Sequence, residues 1–202
     1  MTIVAGDGAR HFSIDELMRG LDAIREAPKD TGTLDLIVRR PDIGKREILT
    51  EGQLDLVAGL RGDNWRTRGS SKTADKSAHP EMQINIMSSR AIALIAGNEA
   101  RWTLAGDQLF CDLDLSRANL PPGMHLAIGD AVLEVTKMPH TGCGKFIARF
   151  GVDAQKFVNS PVGRELNLRG INARVVKPGT IRVGDSVVKM PPTGGDGTAQ
   201  PR

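Results

Sequence analysis

The chain has 202 residues, with 27 Lys and Arg against 24 Asp and Glu, a net charge of +3, 40% apolar and 25% charged residues. These are globular proportions, which exclude a fibrous or wholly disordered chain, and the length allows one large domain or two small ones. Aromatic residues make up 3%, with no Tyr, and the only cysteines are Cys111 and Cys143. This argues against the stacking platforms of single-strand nucleic-acid binding and excludes a disulfide scaffold or a zinc site built on cysteine pairs.

Met1 to Arg10 lacks the basic and apolar regions of a signal peptide. No apolar run approaches the ~18 residues of a membrane span. The expectation is a soluble, cytoplasmic protein with reduced thiols and no membrane or nucleic-acid partner. Ser13-Ile14-Asp15-Glu16 has the spacing of a capping box. Ile14, Leu17, Met18, Leu21 and Ile24 then recur at helical intervals, predicting one helix closed by Pro28 and Gly32. Leu34 to Val38 predicts a strand, and Arg46 to Thr50 a second one after a turn at Pro41 to Gly44. Gly59 to Pro80 predicts a long polar loop. In it Arg61, Arg66, Arg68, Lys72 and Lys76 outnumber Asp63 and Asp75. A solvated loop and an anion-binding loop beside an active site both fit that pattern.

Ser88 to Gly97 predicts the clearest helix, with a serine cap and a terminal glycine. Short strands follow at Leu109 to Leu113, His125 to Ile128, Ala131 to Thr136, Ile171 to Val176, Ile181 to Val183 and Ser186 to Val188. Gly129-Asp130, Pro178-Gly179 and Gly184-Asp185 mark turns between them. Such spacing favours a barrel or sandwich, and the helices make the class β-rich α+β. Residues 190–202 read as a disordered tail. The remaining organisation is an N-terminal helix and strands over 1–58, part of or packed on a domain over 59–189.

The chemistry concentrates between Lys137 and Gly151. Cys143 stands between Gly142 and Gly144, which lets a ligand approach the sulfur closely. His140, Lys145 and Arg149 are cationic or basic neighbours of the kind that favour a thiolate. A thiolate can attack an electrophile, carry a persulfide or ligate a soft metal. His140 and Cys143 could supply two zinc ligands, but nothing nearby completes four. A cysteine hydrolase would need a paired base, for which His79, His125 and His140 are candidates. Cys111, inside a strand, reads as a core thiol.

The stretch Pro139-His140-Thr141-Gly142-Cys143-Gly144-Lys145-Phe146, followed by Arg149-Phe150-Gly151, resembles the signature of the MOSC domain. That domain closes molybdenum cofactor sulfurases and also occurs as free-standing bacterial proteins. Asn119 to Gly123, Ile128 to Thr136, Leu168 to Val176 and Gly179 to Asp185 resemble it in the same order. The resemblance implies a MOSC-like β-barrel with peripheral helices and one key cysteine. It implies molybdenum cofactor (molybdopterin) binding, with Cys143 as metal ligand and catalytic residue. The cofactor-binding set carried over with it is His140, Thr141, Gly142, Lys145, Arg149 and Arg169. For the cofactor phosphate the candidates are Lys145, Arg149 and Arg169, then Arg61, Arg66 and Arg68. Gly151, Gly170 and Asp185 read instead as backbone and turn devices.

The chain has no pyridoxal-phosphate domain and no ferredoxin-like cysteine cluster, and its first 80 residues do not match the amidoxime-reducing relatives. Reduction of N-hydroxylated or N-oxygenated small molecules would therefore need an external electron-donor reductase. Two alternatives stand beside it: a persulfide-carrying sulfur-transfer protein served by a sulfur donor, and a non-catalytic binding barrel.

Overall fold

The computed structural model describes residues 10–192. The tail expected to be disordered lies, from residue 193, outside the described residues. The capping box at Ser13 forms: its hydroxyl accepts from the Glu16 amide, and the Glu16 carboxylate accepts from the Ser13 amide. The single N-terminal helix expected there is two, α1 (Ile14–Arg19) and α2 (Leu21–Arg25). They part at Gly20, where a Cβ would lie 2.4 Å from the Leu94 side chain. Close packing decides the break, which no local propensity reports.

The strands are β1 (Thr31–Arg39), β2 (Glu47–Leu49), β3 (Glu51–Asp55), β4 (Gly59–Leu60), β5 (Ile84–Ser88), β6 (Leu109–Asp112), β7 (His125–Ile128), β8 (Ala131–Val135), β9 (Ile171–Lys177), β10 (Gly179–Arg182) and β11 (Ser186–Met190). Between them lie α3 (Trp65–Arg68), a 3-10 helix (Pro80–Met82), α4 (Ser89–Ala96), a second 3-10 helix (Glu99–Ala105), α5 (Gly144–Asn159) and α6 (Pro161–Glu165). The expected loop from Gly59 to Pro80 thus carries a short strand and a helical turn, anchored by buried Trp65. No helix among the described residues is long and apolar enough to cross a membrane.

Seven strands close into a barrel in the order β11-β7-β8-β9-β5-β6-β1, with β1 returning to β11. The fold is the β-rich α+β barrel with peripheral helices. Only β5 and β6 run parallel; their connection passes through α4 and the 3-10 helix Glu99–Ala105. β1 reaches three partners, pairing β11 near its start, β6 in its middle and β2 at its end. β10, β3 and β4 form a second, small sheet.

Strand alternation sorts two cores. Ile37, Ile84, Ile86, Leu109 and Cys111 point into the barrel and join an all-aliphatic cluster with Leu126, Leu133 and Val187. Their neighbours Val38, Met87 and Phe110 point outward and meet the helices. There Leu17, Ile92 and Ile95 pack with Phe146, Phe150 and Phe157 of α5. The scarce aromatics are therefore spent on seating α5, whose first residue follows Cys143. At the entry to β9, Gly170 has φ +101, and a Cβ there would lie 2.2 Å from the Ile86 carbonyl. This close approach fixes Arg169, the residue before it, against the barrel end.

Candidate active site

Cys143 is the N-cap of α5, in extended conformation, and its thiol is exposed. Gly142 behind it is tied to the far end of the same helix. Its amide donates to Asn159 Oδ1 at 3.1 Å, and its carbonyl accepts from Asn159 Nδ2 at 3.1 Å. A Cβ on Gly142 would press on Val158 at 2.9 Å. Burial pushes the Cys143 thiol up, but the amides of Phe146 and Lys145 and the Arg169 charge outweigh it, leaving the pKa below that of an ordinary thiol. Cys111 is the opposite case: it is fully buried in the barrel, and burial raises its pKa far above the usual range.

Cys143 opens into a cavity of about 220 Å³. Six cationic residues line it: Arg40, Arg46, Arg68, Lys145, Arg149 and Arg169. The 3-10 helix Glu99–Ala105 explains the placement of four of them. Successive carbonyls at its end each accept from a different guanidinium. Thr103 O takes Arg46 Nε at 3.3 Å, and Leu104 O takes Arg149 Nη1 at 2.6 Å. Ala105 O takes Arg169 Nη2 at 2.9 Å, and Gly106 O takes Arg40 Nη1 at 2.8 Å. The terminal carbonyls of a helix lack partners within it and carry the negative end of its dipole, so they attract cations.

Two of these arginines also hold buried carboxylates. Arg40 and Asp63 pair at 2.8 Å with side chains 3% and 0% exposed, through both carboxylate oxygens. Arg169 and Asp107 pair at 2.6 Å, and the Arg169 guanidinium lies 5.0 Å from the centre of the Phe146 ring. His140 Nδ1 is 3.4 Å from Asp107 Oδ1, without hydrogen-bond geometry. Burial, then the Arg169 charge, pushes the His140 pKa down to about 3, so its ring is neutral. Asp107 Oδ1, His140 Nδ1 and Arg169 Nε are buried without partners.

Of the residues singled out from the sequence, Cys143, His140, Lys145, Arg149 and Arg169 share this cavity. Gly142 supports it from behind, while Thr141 lines a different cleft with Arg117, Arg164 and Asn167. Arg68 reaches the cavity from the basic segment. Arg61 does not; it pairs with Asp55 at 3.0 Å. Arg66 is exposed and lies outside the lining. His79 caps the 3-10 helix Pro80–Met82, and His125 sits in β7, 3.9 Å from Glu134. Only a neutral, weakly basic His140 is near Cys143, which disfavours a cysteine–histidine nucleophilic pair. Sequence reasoning missed Arg40, Arg46, Asp63 and Asp107, and with them Asn85, whose Oδ1 accepts from Arg40 Nη1 at 3.1 Å in the same lining. The one available signal was a pair of cations on each side of the predicted Pro41 to Gly44 turn, Arg39-Arg40 and Lys45-Arg46.

Among the described residues no group of three or more His, Cys, Asp or Glu can hold a metal ion. A metal at Cys143 must therefore arrive carrying most of its own ligands. A lone thiolate, a cationic wall and unpartnered buried polar atoms fit a chelated soft metal with an anionic tail.

A protein-family model described as the MOSC domain matches residues 73–188. The YuaD protein from Bacillus subtilis is similar in structure, with a TM-score of 0.55 and 17% identity over 79% of this chain and 95% of that one. YiiM from Escherichia coli is similar with a TM-score of 0.50 and 18% identity, over 78% of this chain and 69% of that one. At these identities the likeness is one of fold. No curated protein matches the chain.

Proposed function

The chain belongs to the MOSC domain family, and on that premise we propose that it binds a molybdenum cofactor through Cys143 and reduces N-hydroxylated or N-oxygenated compounds. The observation that carries this reading is the exposed, thiolate-biased Cys143 opening onto a cavity walled by six cations. A thiolate is a ligand for soft metals, and guanidinium forks suit a phosphate. Arg169, Lys145 and Arg68, which share the cavity with Cys143, are the groups proposed to meet the cofactor's anionic tail. When bound, the cofactor supplies a metal that exchanges electrons in pairs and abstracts oxygen from nitrogen. The chain's own part is to present the sulfur, to hold the tail, and to keep His140 neutral beside Asp107. Converting an N-hydroxyl group to the amine consumes two electrons and two protons and releases water. The described residues include no redox cluster, so an external reductase is proposed as the electron source. A cytosolic setting would keep Cys143 reduced.

Protein purified from a cofactor-competent host is expected to carry close to one molybdenum per chain. Cys143→Ala is expected to carry almost none while melting cooperatively near the temperature of metal-free wild-type protein. Wild-type protein without metal or pterin fluorescence would sink the reading. The exposure of the thiol favours one other reading, persulfide transport. Its mark is cyanide-labile sulfur on Cys143 and a mass increase of one sulfur atom after treatment with a persulfide donor.

A further inference from the structure

The cavity holds more positive charge than its own carboxylates answer. Asp63 neutralises Arg40 and Asp107 neutralises Arg169. Arg46, Arg68, Lys145 and Arg149 pair with no carboxylate among the described residues. The rim acid, Asp42, faces Lys45 at 3.7 Å. Arg46 and Arg149 hang from peptide carbonyls alone, which fix their direction without cancelling their charge. Their guanidiniums converge over Gly106. Arg149 Nη1 and Arg46 Nη2 lie 3.5 and 3.6 Å from where a Cβ on that residue would sit. Burial first, then the nearby charges of Arg149 and Arg40, pushes the Arg46 pKa down to about 10, against a smaller opposing effect of Asp63. A phosphomonoester brings about two negative charges at neutral pH. The cofactor's phosphate and the Cys143 thiolate would together answer about three of the four, which leaves a place for one further negative charge.

We infer that the substrate itself carries an oxyanion, a carboxylate or a phosphate, which Arg46 and Arg149 clasp across Gly106. Paired guanidiniums recognise such groups through parallel hydrogen bonds, and a partly desolvated pocket strengthens the attraction. The inference rests on the cofactor reading and specifies the substrate class of the same site.

The test uses protein from a cofactor-competent host, with molybdenum measured first. Calorimetry compares three amines that cannot be reduced further: aniline, 4-aminobenzoate and 4-aminophenyl phosphate. At low ionic strength at least one anionic amine is expected to bind at least ~10-fold tighter than aniline. The stronger of the two identifies the oxyanion. The gap is expected to shrink below ~3-fold at ~0.5 M salt and in Arg46→Gln. The kcat/KM values of the three corresponding hydroxylamines are expected to follow the same order. If Arg46→Gln fails to fold, Arg149→Gln and the salt series on wild-type protein decide. Equal affinities in molybdenum-loaded protein overturn the inference and leave the cofactor reading intact. An anion preference that survives Arg46→Gln in folded protein also overturns it. Protein without molybdenum overturns both.

Discussion

Two cysteines with the same side chain sit in opposite electrostatic settings. Cys111 is sealed in an aliphatic barrel, while Cys143 caps a helix N-terminus under an arginine. Iodoacetamide is therefore expected to label metal-free folded protein once, at Cys143, with a rate that rises at lower pH than for free cysteine. In Arg149→Gln that midpoint is expected to move up, because the Arg149 charge interacts with the thiolate. A midpoint at or above that of free cysteine would contradict the setting described. The sign for stability follows. A depressed folded pKa favours the folded state above the ordinary thiol pKa, and the contribution is lost as pH falls through the lowered value. Cys143 was legible in the sequence because its glycines and cations are adjacent to it. Arg40 and Arg46 were not. Their role comes from carbonyls some sixty residues away, and nothing in a linear pattern encodes that convergence.

At the scale of elements, α4 was fully legible. Its Ser88 cap and the left-handed Gly97 both appear as expected, because each is a local backbone requirement. α5 was missed although Phe146, Phe150, Ala154, Phe157 and Val158 follow helical spacing. Gly151, at φ +89 within it, reads as a breaker and marks a kink instead. Gly170 is the element-scale constraint with the plainest consequence. Gly170→Ala would place a methyl 2.2 Å from the Ile86 carbonyl at φ +101. Backbone strain and overpacking together predict a loss of about 2–4 kcal/mol. Urea denaturation checks this, and a loss under about 1 kcal/mol would show that β9 can retreat from β5.

Across the whole molecule, the family match begins at residue 73, yet the barrel needs β1. β1 stands between β6 and β11 and closes the ring. Evenly spaced C-terminal strands made a barrel legible, whereas closure by an N-terminal strand was not, since strand partners depend on the folded chain. A 73–188 fragment would expose two open strand edges and lose Leu34 and Ile37 from the core. It is expected to lack the cooperative urea transition expected of the full chain. A sharp transition and a dispersed amide NMR spectrum from the fragment would refute that.

The four arginines anchored on Thr103, Leu104, Ala105 and Gly106 lean on main-chain oxygens. Every amino acid carries that group, so the floor of the cavity holds its charges whatever side chains stand there. Thr103 and Ala105 are buried and Leu104 packs on the core, so the side chains of this segment answer to packing, while the array asks only that the helical turn persist. The walls differ, since each depends on its own guanidinium side chain. A comparison of sequences that looks for invariant letters would pass over the segment on which the site is hung.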